Sequence, residues 1–101
     1  MSKYHAQPTT LDGHTFPSLR EASRYSELCL LLRAGDITDL SLQVPFPIHV
    51  NGTLACTYIA DFVYTQDGRR VVEDSKGFRT PIYKLKRKLM KIVRGITILE
   101  T

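Results

Sequence analysis

The stretch TYIADFVYTQDGRRVVEDSK, residues 57–76, decides the fold of this chain. It contains two runs rich in β-branched and aromatic residues, which are typical of strands. Asp67-Gly68 stands between the two runs and favours a two-residue type I′ turn, because both residue types tolerate positive φ. The stretch therefore predicts a β-hairpin with strands at residues 57–64 and 70–74.

The turn also predicts which residues face each other in the hairpin. With a two-residue loop, Asp61 lies opposite Asp74, their Cβ atoms about 5 Å apart. Two carboxylates so close within apolar strands repel each other, so the pairing indicates a bound cation. Lys76 comes two residues after Asp74 and points to the same face. A longer loop at residues 66–69 would separate the two aspartates, and Asp74–Lys76 would then be a surface ion pair.

Two carboxylates and a lysine on one face predict a metal-dependent hydrolase. Carboxylate oxygens are ligands that Mg²⁺ prefers, and the backbone carbonyl of Ser75 could supply another. Bound Mg²⁺ lowers the pKa of a coordinated water and stabilises the charge that develops on a phosphate. Lys76 could orient that water or neutralise the same charge. We expect Mn²⁺ to substitute for Mg²⁺.

The segment before the hairpin predicts a helix from Ser18 to Ala34. Ser18 and Glu21 fit a capping box, and Gly35 suits the C′ position. At 100° per residue, however, Glu21 lies in line with Tyr25 on the apolar face of the helix, so its carboxylate could point at the sheet. There it would be a further metal ligand or would orient a water. One rotamer cannot fill both roles, and we favour the role at the sheet.

The other segments complete the order α-β-β-β-α-β. Elements are predicted as a strand at 37–44 ended by Pro45 and Pro47, a hairpin turn at Asn51-Gly52, a helix at 81–93 that begins after Thr80 and stops at Gly95, and a last strand at 96–99. Residues 1–10 lack periodicity and predict a flexible N-terminal arm, which leaves residues 11–101 as a single domain. This order predicts an α/β (α+β) fold with a central mixed sheet flanked by helices.

The charge of the chain permits a nucleic-acid partner. The formal net charge is +4, and six of the fourteen Lys and Arg residues lie between Lys84 and Arg94, where no acid occurs. The predicted second helix has an apolar stripe and, opposite it, a basic stripe: the first comprises Ile82, Leu85, Leu89, Ile92 and Val93, the second Lys84, Arg87, Lys91 and Arg94. The basic stripe predicts contacts with DNA phosphates. A solvated face is the alternative.

Two further residues could contact DNA near the acids. Lys86 lies near the boundary of the two stripes and could point to the active-site edge, and Gln43 could contact the scissile phosphate. The two cysteines, Cys29 and Cys56, have no metal-ligand spacing to the histidines and predict buried thiols without a disulfide partner. No apolar run approaches the ~20 residues of a membrane span and no signal peptide is evident, so we expect a cytoplasmic protein.

These residues carry a resemblance to the PD-(D/E)XK nuclease superfamily, which has the restriction-endonuclease-like fold. The motif lies at residues 58–64 and 72–77, and the whole of residues 10–100 is similar to a family of small phage-encoded nucleases. The resemblance implies that Asp61 and Asp74 bind the metal, that Lys76 is the catalytic lysine and that Glu21 is the acid from the first helix. Ala60 stands where the family's name has proline, and Ser75 where an aliphatic residue is usual.

The sequence thus predicts a Mg²⁺-dependent endodeoxyribonuclease that hydrolyses DNA with a metal-activated water. A domain of this size has no evident sequence-reading element, which favours structure-selective or weakly specific cutting. By analogy with the fold class, a homodimer could act on two strands. The alternatives are a non-catalytic DNA-binding or protein-interaction module, and an exonuclease or junction-resolvase component of a phage recombination complex. A phage protein would work in the bacterial host cytoplasm.

Overall fold

The Asp67-Gly68 hairpin forms as predicted, and the main sheet is built around it. Both residues have positive φ, +53° and +74°, as a type I′ turn requires. A computed structural model describes residues 8–76 and 78–101. The elements are β1 (Thr9–Leu11), β2 (His14–Phe16), α1 (Leu19–Ala34), β3 (Thr38–Val50), β4 (Thr53–Gln66), β5 (Arg69–Asp74), α2 (Pro81–Arg94) and β6 (Leu99–Glu100).

The main sheet is mixed, as predicted. Its strand order is β3-β4-β5-β6, and β6 runs parallel to β5 while the other neighbours are antiparallel. After a small β1-β2 hairpin, the chain follows the predicted order α-β-β-β-α-β. Helix α1 packs on one side of the sheet and α2 on the other, which gives two separate hydrophobic clusters. The predicted α+β class with a helix-flanked mixed sheet is confirmed.

Both ends of the chain differ from the prediction. Thr9 and Thr10, assigned to the arm, lie in β1, which turns through Asp12-Gly13 into β2; three-residue strands are too short to display alternation. Residues 1–7 of the predicted arm lie outside the described residues. The last strand is Leu99–Glu100 rather than 96–99, because it is set by pairing with the end of β5.

The strand predicted at residues 37–44, which is β3 in the structure, does not end at Pro45 as predicted. Strand β3 continues through Pro45 and Pro47, which pair with Ile59 and Thr57 of β4. Since β3 is at the edge of the sheet, two prolines spaced two apart can both turn their imide nitrogens to the free side, where no ladder hydrogen bond is lost. The resulting β3-β4 hairpin is long and turns at Asn51-Gly52, as predicted.

Helix α1 begins and ends where the sequence indicates. The Ser18 hydroxyl accepts a hydrogen bond from the backbone N–H of Glu21 at 3.2 Å, and Gly35 closes the helix in the left-handed conformation. Its buried face includes Glu21, Tyr25 and Leu28, so the helical alignment of these three is confirmed. The helix therefore presents one carboxylate to the sheet together with its apolar side chains.

Helix α2 also has the predicted caps, but a different face packs on the sheet. An amphipathic helix normally buries its apolar stripe, yet in α2 the buried side chains are Tyr83 and Met90. Ile82, Leu85 and Ile92 are between 56% and 69% exposed. The cause is in the core, where the Tyr83 ring and Met90 join the cluster of β3 and β4 residues. The apolar stripe is therefore turned away from the sheet.

The two long strands exchange faces in their middle. In β4, Tyr58 and Ala60 face the α2 side, whereas Phe62 and Tyr64 face the α1 side. Residues two apart in a regular strand share a face, so alternation breaks at Asp61. Its neighbour across the ladder, Gln43 in β3, has a φ of +52°, and β3 switches faces at the same point. Asp61 thus lies at the boundary of the two hydrophobic clusters.

The two cysteines are less buried than predicted. Cys29 and Cys56 are free and half-buried, each packed against a different hydrophobic cluster. Within residues 8–76 and 78–101, no helix is both long enough and apolar enough to cross a membrane.

Candidate active site

Asp61 and Asp74 meet where the hairpin register predicts. The pairs Phe62–Glu73 and Val63–Val72 confirm the two-residue loop, and the next step along the strands brings Asp61 to Asp74. Both side chains are buried. The backbone N–H of Ser75 donates to Asp61 Oδ2 at 2.9 Å. Burial, followed by the contact with Asp74, raises the pKa of Asp61 to about 8.

Asp74 has one engaged oxygen and one that faces the cleft side of the site. The Tyr58 hydroxyl donates a short hydrogen bond to Oδ2. The Lys76 ammonium is 3.2 Å from Oδ1, which confirms that Lys76 lies on the face of Asp74. Even so, Oδ1 is buried without a hydrogen bond of acceptable geometry from any described residue. The same ammonium lies over the Tyr83 ring, 4.8 Å from the ring centroid. This cation–π contact helps to fix the position of Lys76.

Glu21 joins this group from α1. Its carboxylate accepts a hydrogen bond from the Gln43 side chain at 3.2 Å, while only its backbone N–H serves the helix cap. Burial and the charge of Asp74 raise the pKa of Glu21, against the opposing influences of Lys76 and a hydrogen bond with Asp61. Of the two predicted roles for this side chain, the described contacts agree with the one at the sheet.

A cleft of about 230 Å³ opens beside Asp74 and Lys76. Lys86 of α2 lines it, as do the apolar side chains Ile59 and Ile82. Lys86 therefore lies at the cleft that also contains Asp74 and Lys76, and its contact with DNA stays a prediction. One carboxylate, Asp74, and two lysines, Lys76 and Lys86, line the cleft, and this arrangement can hold an anion next to a cation.

The other predicted DNA-binding residues lie elsewhere. Lys84, Arg87 and Lys91 line a larger groove, about 810 Å³, between α2 and residues 97–98. Arg87 pairs with Glu100 at 3.0 Å and Lys91 donates to Thr97 at 2.9 Å. The basic stripe is thus partly used within the molecule, and its contact with DNA stays a prediction.

Two tyrosines belong to the site although the sequence analysis did not select them. Tyr58 orients Asp74, and burial raises the pKa of Tyr58 well above its usual range, with further contributions from Asp74. Tyr83 supports Lys76 and donates to Glu100 at 2.8 Å. Tyr58 lies in the quoted stretch at an ordinary core position, and its contact arises only from the sheet. No sequence signal separates these rings from other core aromatics.

The donor set suits a hard divalent cation, although it is small. No group of three or more His, Cys, Asp and Glu side chains among the described residues is arranged to hold a metal. Mg²⁺ is commonly bound through one or two carboxylates and completed by water and substrate phosphate. Asp61 and Asp74 provide two carboxylates, and Asp74 Oδ1 and Ser75 Oγ are buried side-chain atoms without a hydrogen bond from residues 8–76 and 78–101. The residues therefore fit Mg²⁺.

The fold and the site define an α+β protein with a buried acidic centre and a lysine at its side. The family model described as "Protein of unknown function (DUF1064)" matches residues 1–95, so the chain belongs to the DUF1064 family. No curated protein and no solved structure matches the chain.

Proposed function

We propose that the chain is a Mg²⁺-dependent endodeoxyribonuclease that hydrolyses DNA phosphodiester bonds, with Mn²⁺ able to replace Mg²⁺. The observation that carries the proposal is the buried Asp74 Oδ1. It has no hydrogen bond from the described residues, although it lies beside a second buried acid and a lysine. Burying a carboxylate without a full set of partners is costly. A protein keeps such an arrangement where something from outside completes it.

Asp61 and Asp74 would hold the metal, and the Ser75 carbonyl could add a ligand. When bound, Mg²⁺ lowers the pKa of a water and neutralises charge on the phosphate. The chain's own groups prepare the carboxylates for this role. The Ser75 N–H occupies one oxygen of Asp61 and the Tyr58 hydroxyl one oxygen of Asp74. Both aspartates are therefore oriented by the chain itself, and Asp74 Oδ1 is left without a hydrogen bond from the described residues.

Lys76 is the candidate catalytic lysine. Its ammonium is 3.2 Å from Asp74 and rests on the Tyr83 ring, where it can orient a water or neutralise charge on the phosphate. Glu21, oriented by Gln43, would bind the metal's outer water or accept a proton from it. Gln43 therefore acts through Glu21, and our prediction that it also contacts the scissile phosphate stands as part of the proposal.

The DNA path would start at the cleft. Lys86 lines the cleft together with Asp74 and Lys76 and would bind a phosphate, and Lys84, Arg87 and Lys91 would contact phosphates farther along α2. Such contacts are independent of base sequence, which supports structure-selective or weakly specific cutting. Action on both strands would need a homodimer or two successive events. We place the activity in the cytoplasm, that of a bacterial host if the chain is phage-encoded.

The test is a cleavage assay with purified protein. Branched, nicked, single-stranded and linear duplex DNA would be incubated with Mg²⁺, Mn²⁺ or EDTA. We expect cutting with either metal, none in EDTA, and loss of cutting in Asp61→Asn and Lys76→Met. Asp67→Asn removes an exposed acid at the turn of the same hairpin and is the matched control. Binding without cutting on every substrate would favour the competing function, a non-catalytic DNA-binding or protein-interaction module.

Circular and end-blocked substrates separate the remaining alternative. Cutting of a closed circle would support an endonuclease, whereas cutting only at free ends would indicate an exonuclease, and cutting only at four-way branches a junction resolvase. Activity that survives unchanged in Asp61→Asn would contradict the assigned site.

A further inference from the structure

The exposed apolar stripe of α2 is the feature that the proposed nuclease site does not use. Ile82, Leu85 and Ile92 are 67%, 56% and 69% exposed, and Leu89 between them is half-buried. Monomeric proteins seldom expose a contiguous apolar patch without a use for it. Leu89 packs partly against the core, but Ile82, Leu85 and Ile92 are not among the buried residues of α2, which are Tyr83 and Met90.

The spacing of the residues in the stripe indicates which kind of structure could bind it. Positions 82, 85, 89 and 92 are separated by three, four and three residues, which is the a/d spacing of a coiled-coil seam. Such a seam is narrow, whereas a helix that lies on a membrane has a broad apolar face. The seam is therefore suited to a second helix that inserts side chains between these residues.

The positive charge of the lysines beside the stripe indicates that the partner is acidic. Ile92 borders the groove that Lys84, Lys88 and Lys91 line. The ammonium groups of Lys84 and Lys88 have no ion-pair partner within the part of the chain that the structure describes. No acid occurs between Lys76 and Leu99. A second α2 would bring lysines against lysines, which is unfavourable, so a second copy of this chain is a poor occupant.

We propose that the seam of α2, Ile82, Leu85, Leu89 and Ile92, docks an acidic amphipathic helix of another protein. The partner's apolar residues pack on the seam, and its carboxylates lie at the groove and pair with Lys88, which the proposed DNA path does not use. Ile82 also lines the cleft beside Asp74 and Lys76, so a helix docked on the seam borders the cleft at one end and would join the chain to a larger assembly there.

The proposal is tested with a synthetic four-heptad helix that has Leu at the a and d positions and Glu at e and g. Its fluorescence polarisation is titrated with the full chain. We expect the Glu peptide to bind at least about tenfold more tightly than the same peptide with Lys at e and g. The double variant Leu85→Ser with Ile92→Ser should lose at least about tenfold in affinity. Both residues are exposed, so circular dichroism should show an unchanged fold.

Three other results would overturn the proposal. Equal binding of the Glu and Lys peptides, or no binding of either, would show that the seam of α2 does not bind an acidic helix. A dimer in light scattering that the double variant abolishes would assign the stripe to a second copy. Loss of duplex DNA binding, or of co-sedimentation with anionic phosphatidylglycerol vesicles, in the same double variant would assign it to nucleic acid or to a lipid surface. The wild-type protein should be monomeric, and its DNA binding should not depend on Leu85 and Ile92.

Discussion

Glu73 and Asp74 are consecutive residues with buried carboxylates, yet their surroundings are opposite. Glu73 receives the Arg24 guanidinium through two hydrogen bonds, at 2.6 and 3.0 Å, together with the hydroxyls of Tyr64 at 2.7 Å and Thr101 at 2.9 Å. Its charge is neutralised and its oxygens are occupied. It serves the packing of α1 on the sheet, since Arg24 belongs to the helix and Glu73 to β5.

Asp74, on the other face of β5, has acids for neighbours. It shares its site with Asp61 and Glu21, and the single charge of Lys76, with which it pairs, cannot balance three carboxylates. The hydroxyl of Tyr58 occupies one oxygen only. The comparison teaches that burial alone does not mark a functional acid. A structural carboxylate is completed by its own chain, whereas a site carboxylate is left incomplete for a ligand.

The largest expected effect is the loss of cutting in Asp74→Asn. Removing a metal-binding charge should lower the cleavage rate by at least about 10²–10³-fold, measured on the best substrate with Mg²⁺. The free energy of unfolding in urea should remain within about 1 kcal/mol of the wild type, because the amide keeps the Tyr58 hydrogen bond and repulsion with Asp61 is relieved. If Asp74→Asn is strongly destabilised but its folded fraction cuts at the wild-type rate, Asp74 would be the structural acid, which contradicts the role given to it.

The next effect is on stability and concerns Glu73. Glu73→Ala should lower the free energy of unfolding by about 3–5 kcal/mol, because the Arg24 charge is left without its buried partner. Glu27→Ala is the matched control: it removes the other acid that pairs with Arg24, at 3.2 Å on the surface, and should cost no more than about 1 kcal/mol. Urea unfolding measures both. Similar small losses in the two variants would mean that Glu73 is not the structural acid described here.

Lys76→Met tests the cation that accompanies Asp74. We expect the rate at saturating DNA to fall about 10²-fold, while Mn²⁺ still binds, since the lysine competes with the metal for the charge of Asp74. Lys86→Met is the matched control on the other wall of the cleft and should act mainly on KM. Loss of metal binding in Lys76→Met, or equal effects of both variants on the rate, would contradict the separate roles.

The smallest effect concerns Glu100, a third carboxylate, which is completed by its own chain as Glu73 is. Arg79 is the main cause that lowers the pKa of Glu100 to about 2, with help from Tyr83 and Arg87. A lowered pKa means that this stabilisation is full above the unfolded pKa of about 4.3 and is lost as the pH falls towards 2. Because the pairs are partly exposed, we expect about 1 kcal/mol. The urea midpoint of Glu100→Gln should vary less between pH 5 and 2.5 than that of the wild type.

The site could be predicted where a local rule fixes geometry. The Asp67-Gly68 turn sets the register that brings Asp61 to Asp74, and helical period aligns Glu21 with Tyr25. Both depend on residues close in sequence. The long-range part could not be predicted: Tyr58 reaches Asp74 across the β4-β5 pair, and Tyr83 supports Lys76 only because α2 packs on the sheet.

The fold could be predicted to the same extent, and the prediction failed where it depends on contacts between residues far apart in sequence. Order, caps and turns follow from local signals, so the α+β class was accessible. The apolar stripe of α2 indicates a buried face. Tyr83 and Met90, on the neighbouring face of the helix, are buried instead, because they pack into the hydrophobic cluster on that side of the sheet. Pro45 was read as the end of a strand, and only the edge position of β3 makes it harmless.

The most direct test of the central claim counts metal ions. Free hexaaqua Mn²⁺ is measured by electron paramagnetic resonance as it is titrated into wild-type protein, Asp74→Asn and the neighbouring Glu73→Gln. We expect the wild type and folded Glu73→Gln to bind Mn²⁺ alike and Asp74→Asn to bind at least about tenfold more weakly. Equal binding by the wild type and Asp74→Asn, or no binding by the wild type, would contradict a metal centre at Asp61 and Asp74.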